Sequence, residues 1–201
     1  MNTELGNVAE WQSVLPQLGA RLTTLREPNS HDQGPLVDLL SIADAARFGI
    51  EEPIGEFAVR RFIERVARDR QLGLAFTYVV TLTGSKNIVG LVQVRQVDPS
   101  FEAAEWEWTL VPSVRGTGVF LEAARLVASF TFASVGTHRL ETRVPLQNGR
   151  ANGALRKLGA VQEGVLRRSM RRGTEYLDQV LWSMLKEDWG DHSVSIAPRV
   201  H

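Results

Sequence analysis

The chain has 201 residues, with 23 Lys plus Arg against 23 Asp plus Glu, and no cysteine. A balanced charge gives no electrostatic case for a nucleic-acid or membrane-surface partner, and the missing cysteines exclude disulfides, thiolate metal sites and a cysteine nucleophile. At 43% apolar and 23% charged residues, the composition is that of a globular domain with a sizeable core.

No run of about 18 apolar residues is present, and Met1-Asn2-Thr3-Glu4 lacks the basic-then-apolar pattern of a leader. The cytoplasm is the expected location. Residues 1–20 read as an N-terminal extension. Within it Trp11, Val14, Leu15 and Leu18 have helical spacing and predict a short docked helix. Arg21 to Glu27 alternates weakly, as a first strand would. The turn-rich run from Pro28 to Pro35 leads to a helix near Leu36 to Phe48. Pro53 breaks the chain, and a second helix runs from Glu56 to Gln71. Leu74 to Leu82 and Ile88 to Val97 form a hairpin around Gly84, Ser85 and Asn87.

After a turn at Asp98-Pro99-Ser100 comes a third strand of this meander. Glu105, Glu107 and Thr109 point one way, and Trp106, Trp108 and Leu110 the other. Val111 and Pro112 end it. Arg115-Gly116-Thr117-Gly118 then sets two glycines around one residue, where a ligand can approach the backbone. Val119, Ala123, Leu126, Val127 and Phe130 recur at helical spacing, so a helix spans 118–134. The amides of Gly116 to Val119 are thus donors at a helix start, a site suited to phosphate. A simple turn is the competing reading. The loop is neither a dinucleotide fingerprint, since Phe120 and Leu121 stand where a third glycine belongs, nor a Walker loop.

Arg139 to Val144 alternates cleanly. A strand, helix and strand in this order predict that 105–111 and 139–144 are parallel neighbours. Pro145 ends the second of these strands. Asn148 is an N-cap for a helix from Gly149 to Leu158, with Gly159 at its C′ position. Val161 to Met170 and Tyr176 to Leu185 make a last hairpin around Arg172-Gly173, and a polar tail begins at Asp191. The fold class is α+β: a mixed, mostly antiparallel sheet with helices on both faces.

Two of these segments together, Arg115-Gly116-Thr117-Gly118 and Asn148 with Leu155-Arg156-Lys157-Leu158-Gly159-Ala160, resemble the GCN5-related N-acetyltransferases (GNAT). Glu163-Gly164-Val165-Leu166-Arg167, Asp178 and Trp182-Ser183-Met184-Leu185 are similar to the RimJ/RimL-like subgroup. The resemblance implies a domain at 21–189 and a C-terminal tail at 190–201. It implies acetyl-CoA as co-substrate, with no metal. The phosphates would lie on Arg115, Gly116, Thr117, Gly118 and Val119, with Ser113 where the family has Gln or Arg. The thiol arm would pair with main chain near Leu110 and Val111. Asn148 matches the family's Asn, with Asn152 one turn on.

The implied reaction is attack of a primary amine on a thioester, the acceptor being a protein N-terminus or a small molecule. A lysine-like amine with pKa near ~10.4 costs roughly 4.6 kcal/mol to neutralise at pH 7, and an α-amine near ~7.8 only about 1 kcal/mol. Glu105 sits where the subgroup often has a Glu acting as base, and Glu107 shares its face. Both are candidate catalytic residues; the alternative is solvation or salt bridging to arginines on neighbouring strands. Oxyanion stabilisation would come from an N–H near Leu110, freed by a bulge or splay. Leu155 and Ala151 occupy positions where relatives carry Tyr and Ser, so no general acid is apparent. That departure supports a second reading, a CoA-binding regulatory protein with little turnover. Arg167, Arg168, Arg171 and Arg172 read as a solvated or ion-paired basic hairpin, so no nucleic acid is expected; contact with an acidic acceptor or nucleic acid is the competing reading. Trp106 and Trp108 read as core or as a contact in a homodimer. His31, His192 and His201 lack metal-ligand spacing.

Overall fold

Phe76, Tyr78 and Val80 point to one side of their strand and Val79 to the other, and all four are buried, so the sheet is covered on both faces. The computed structural model describes residues 10–48 and 54–190, without the side chains of 44–48. The expected break at Pro53, the tail from Asp191, His192 and His201 lie outside the described residues. Among those described, eight strands form one sheet: β1 (Leu18–Gly19), β2 (Thr23–Arg26), β3 (Ala75–Leu82), β4 (Ile88–Gln96), β5 (Ala103–Leu110), β6 (Arg139–Pro145), β7 (Val161–Arg172) and β8 (Glu175–Leu185). Their spatial order is β1-β2-β3-β4-β5-β6-β8-β7. Only β5 and β6 are parallel. Helices α1 (Glu10–Ser13), α2 (Gln33–Phe48), α3 (Glu56–Gln71), α4 (Val119–Phe130), α5 (Gly149–Leu158) and α6 (Lys186–Trp189) complete the chain.

The larger core packs α4 and α5 on one face. Ala123, Leu126, Val127 and Phe130 of α4 and Leu155 and Leu158 of α5 meet Tyr78, Val92, Trp106 and Leu140 of the sheet. On the opposite face Leu36 and Leu39 of α2 and Val59 of α3 meet Val79 and Leu91. The predicted helix 118–134 is α4 followed by one π-turn, Thr131–Val135, closed by Gly136 in the left-handed region at φ 91°.

The N-terminal segment differs from the helical expectation. α1 is only four residues long, Val14 is 69% exposed, and Leu18 lies in β1 instead. Pro16 is the reason, because it cannot continue a helix. Trp11, Leu15 and Leu18 are nevertheless buried in the larger core. The buried Tyr78 hydroxyl donates to the Pro16 carbonyl at 2.9 Å, and the Arg70 guanidinium holds the Gln12 carbonyl.

Candidate active site

The parallel ladder stops short. Ala103, Ala104 and Glu105 pair with Arg139, Leu140 and Glu141, and no later residue of β5 pairs with β6. β6 follows β8 instead, as far as Pro145 against Gln179. β5 stays with β4, as far as Leu110 against Gly90. The two strands therefore diverge after Glu105 and open a wedge. The ladder's phase shows which groups face it. Val111 N–H donates to Val89 at 3.0 Å, so the odd-numbered residues of β5 bond to β4. The N–H and C=O of Trp108 and Leu110 point the other way, into the wedge. Val111 does not share this freedom, since its carbonyl also accepts from Val114 at 3.3 Å.

Gly90 makes this strand end fit. A Cβ there would stand 2.3 Å from the Leu110 Cδ2 and 3.2 Å from the Thr109 carbonyl. Trp108 reaches toward α4, with its ring 5.3 Å from Phe120 and edge-on. Its indole nitrogen is buried without a hydrogen-bond partner. Trp106 is 1% exposed and belongs to the core.

At the mouth of the wedge the chain makes a short 3-10 turn, Pro112–Val114, and then the two-glycine loop. Gly116 and Gly118 both have positive φ, 82° and 91°. Nothing lies within 4 Å of a Cβ built on Gly116, and only the Leu22 Cδ1, at 3.6 Å, meets one on Gly118. Backbone conformation, more than space, requires glycine at both. Thr117 turns its hydroxyl back onto the Val114 carbonyl at 2.7 Å. Gly118 caps α4, and the first bond of the helix is Glu122 N–H to the Gly118 carbonyl at 3.1 Å. The amides of Val119, Phe120 and Leu121 are thereby left without intrahelical acceptors. Arg115 is exposed beside them. Free first-turn amides, a glycine backbone and a wedge with unpaired main chain fit an extended phosphorylated ligand.

α5 closes the other side. The Asn148 side chain accepts from Ala151 N–H at 3.1 Å and so caps α5. Asn152 is buried and fully committed within the protein. Its amide nitrogen donates to the carbonyls of Pro145, Leu146 and Asn148, and its oxygen accepts from the Trp182 indole at 2.8 Å. Asn152 thus shapes the turn that presents Asn148. Leu155 is 3% exposed and lines the core.

Glu105 lies at the apex of the wedge, on the face opposite α4. Its side chain is 14% exposed and accepts from Arg95 Nη2 at 2.5 Å and Nε at 3.2 Å. Arg143 lies 3.9 Å away. The arrangement continues across the sheet. Arg143 is 3.5 Å from Glu141, Arg139 bonds Glu141 at 3.1 Å, and Arg139 grips Glu163 with two nitrogens at 2.7 and 2.6 Å. Ser183 donates to the same Glu163 at 2.7 Å. Charges of opposite sign alternate from β4 to β7. Hydrogen bonding to Glu105 holds the Arg95 guanidinium above its ordinary value. Arg139, then Ser183, pull the Glu163 carboxyl down to about 2. Glu107 is exposed two residues on, and its charge also acts on Arg95.

Salt bridging of Glu105 to arginines on neighbouring strands, an alternative read from the sequence, is present, with Arg95 and Arg143 as the particular partners. The alternation of Arg139, Glu141 and Arg143 marks one charged face, but not that it adjoins Glu105; that follows from the parallel register. The basic hairpin carries a bulge between Leu166 and Met170, with Arg168 at φ 50° and its N–H on Asp178 at 2.7 Å. Among the described residues no three of His, Asp and Glu converge as a metal site. No described helix is long and apolar enough to cross a membrane.

Among the described strands, the one parallel pair splays apart around a helix that a glycine loop begins. Residues 22–161 match the family model for the acetyltransferase (GNAT) domain, and the chain belongs to that family. It is 24% identical over 82 residues to YnaD of Bacillus subtilis, described as an uncharacterized N-acetyltransferase. That match takes in 41% of this chain and 48% of YnaD, so it spans about half of the relative's length. Among solved structures it resembles Mycobacterium smegmatis RimJ in complex with CoA-disulfide, with TM-score 0.73 and 18% identity over 87% of this chain and 88% of that one. It also resembles RimL, the ribosomal L7/L12 alpha-N-protein acetyltransferase, in complex with coenzyme A. There the TM-score is 0.76 and the identity 15%, over 84% of this chain and 97% of that one.

Proposed function

We propose that this protein transfers an acetyl group from acetyl-CoA to a primary amine, either a protein N-terminal α-amine or the amine of a small molecule. The wedge between β5 and β6 carries this reading, because it joins a phosphate-type loop at one end to Glu105 at the other. RimJ and RimL, whose structures contain CoA, support the cofactor. The diphosphate would rest on the loop from Arg115 to Val119, and the thiol arm would run along Leu110. Asn148 would flank the arm from α5.

In the reaction the amine nitrogen bonds to the thioester carbon, the carbon–sulfur bond breaks, and one proton moves from nitrogen to the departing sulfur. Leu110 N–H, which faces the wedge, is the group to receive the negative charge that develops on the carbonyl oxygen. Glu105, with Glu107 beside it, is the candidate acceptor for the proton, directly or through water. An α-amine needs roughly 1 kcal/mol to be neutral at pH 7 and a lysine roughly 4.6 kcal/mol. The α-amine is the easier substrate for a base already gripped by Arg95. RimL is described as acting on such an α-amine.

A second reading, a CoA-binding protein with little turnover, draws on two observations. Leu155 is buried among apolar side chains and offers no proton, and Glu105 is paired with arginine. Release of CoA thiol from acetyl-CoA, measured with peptides bearing free N-termini, lysine-containing peptides with blocked N-termini, and simple amines, separates the two. Amine-dependent release, greatest with α-amines, supports transfer. Binding of acetyl-CoA without release from any amine supports the second reading.

A further inference from the structure

A carboxylate outside this site ties the helix behind the glycine loop to the start of the sheet. Glu122, in the first turn of α4, accepts three hydrogen bonds on one oxygen. They come from Leu22 N–H at 2.7 Å, Thr23 N–H at 2.8 Å and the Thr23 hydroxyl at 2.8 Å. Its own N–H bonds the carbonyl of Gly118. The segment it holds is itself anchored, since Thr83 N–H donates to Leu22 and Ala20 N–H to Thr23, both at 2.9 Å. Thr23 is fully buried. Leu22 reaches over to Gly118, the residue that opens the helix.

A carboxylate in a first helical turn is favoured by the helix dipole, yet the same field would draw in a phosphate. An unmatched Glu122 would therefore oppose an anion at the adjacent amides. Three donors converging on a single oxygen match that charge on the side of α4 that faces β2. We propose that Glu122 is a positioning residue for the cofactor. It fixes the first turn of α4 against the β1–β2 turn, so that the amides from Gly118 to Leu121 are set for a diphosphate before it arrives. Leu22 and Thr23 meanwhile absorb its charge. This rests on the CoA reading above.

The test compares CoA with pantetheine, which has the thiol arm but no phosphate. Both are titrated into the wild type, Glu122→Ala, Glu122→Gln and Thr23→Ala, each checked for folding by circular dichroism. Glu122→Ala is expected to weaken CoA at least about tenfold, the equivalent of roughly 1.4 kcal/mol, and to leave pantetheine nearly unchanged. Glu122→Gln keeps an acceptor oxygen and should stay close to wild type, and Thr23→Ala should fall between. Equal CoA affinity in a folded Glu122→Ala protein, or parallel loss of both ligands, overturns the proposal. If Glu122→Ala does not fold, an unchanged CoA affinity in Thr23→Ala overturns it. A wild type that binds neither ligand contradicts the CoA reading itself.

Discussion

Glu105 and Glu141 stand opposite each other at the last pair of the parallel ladder, and the guanidinium of Arg143 reaches both, at 3.9 and 3.5 Å. Two shielded carboxylates at neighbouring ladder positions repel, and the arginine offsets that repulsion. Arg143→Met is expected to lower stability by up to about 1 kcal/mol at pH 7, since the guanidinium is part-exposed. Urea denaturation at pH 7 measures it. Equal stability of the two proteins at pH 7 would show that Arg143 contributes nothing there.

Gly118 begins α4 at φ 91°, a conformation that a β-branched residue resists. Gly118→Val should lose about 1–2 kcal/mol of stability from strain and bind CoA at least about tenfold more weakly, since the loop must rearrange. Titration of the folded variant is the check, and unchanged affinity would remove the loop from the binding site.

Asn152 links the end of β6, α5 and β8 through one buried amide. Asn152→Ala strands the Trp182 indole N–H, while the carbonyls of Pro145 and Asn148 keep the backbone N–H groups of Asn148 and of residue 152. The expected loss is about 1–3 kcal/mol, read as a fall in melting temperature. A variant that melts with the wild type would contradict this accounting.

Glu163 provides a pH signature. Its carboxyl is drawn from the ordinary 4.5 down to about 2, first by Arg139 and then by Ser183. A carboxylate with a lowered folded-state value stabilises the fold above its unfolded value and loses that contribution as pH falls through the folded one. The contribution is therefore complete above about pH 4.5 and fades toward pH 2. Glu163 is exposed to solvent, which keeps the contribution modest. Arg139→Gln should move the acid-unfolding midpoint, followed by circular dichroism, to higher pH. A midpoint that stays in place would refute the pairing.

Much of the fold is legible from local signals. The helix from Glu56 to Gln71 and the helix from Gly149 to Leu158, with Asn148 and Gly159 as its caps, stand where spacing and capping residues put them. The parallel pairing of the two strands around α4 follows from chain order. What stays hidden is set by distance in space. Leu18 shares a helical spacing with Trp11 yet becomes a strand, because Pro16 intervenes. Glu122 looks like an ordinary first-turn acid, and nothing local reveals that Leu22 and Thr23 lie against it. No local signal shows that Leu110 lies across from Gly90 and leaves no room for a side chain there. Glu105 is visible as a carboxylate, but its arginine partners depend on strand register.

Calorimetric titration of the purified protein with acetyl-CoA asks whether the wedge and its glycine loop hold the cofactor. Binding of one equivalent with a dissociation constant on the order of micromolar, about −8 kcal/mol, is the predicted result, and CoA without the acetyl group should bind similarly. Absence of any binding at millimolar acetyl-CoA would contradict the assignment of the wedge and its glycine loop as a cofactor site.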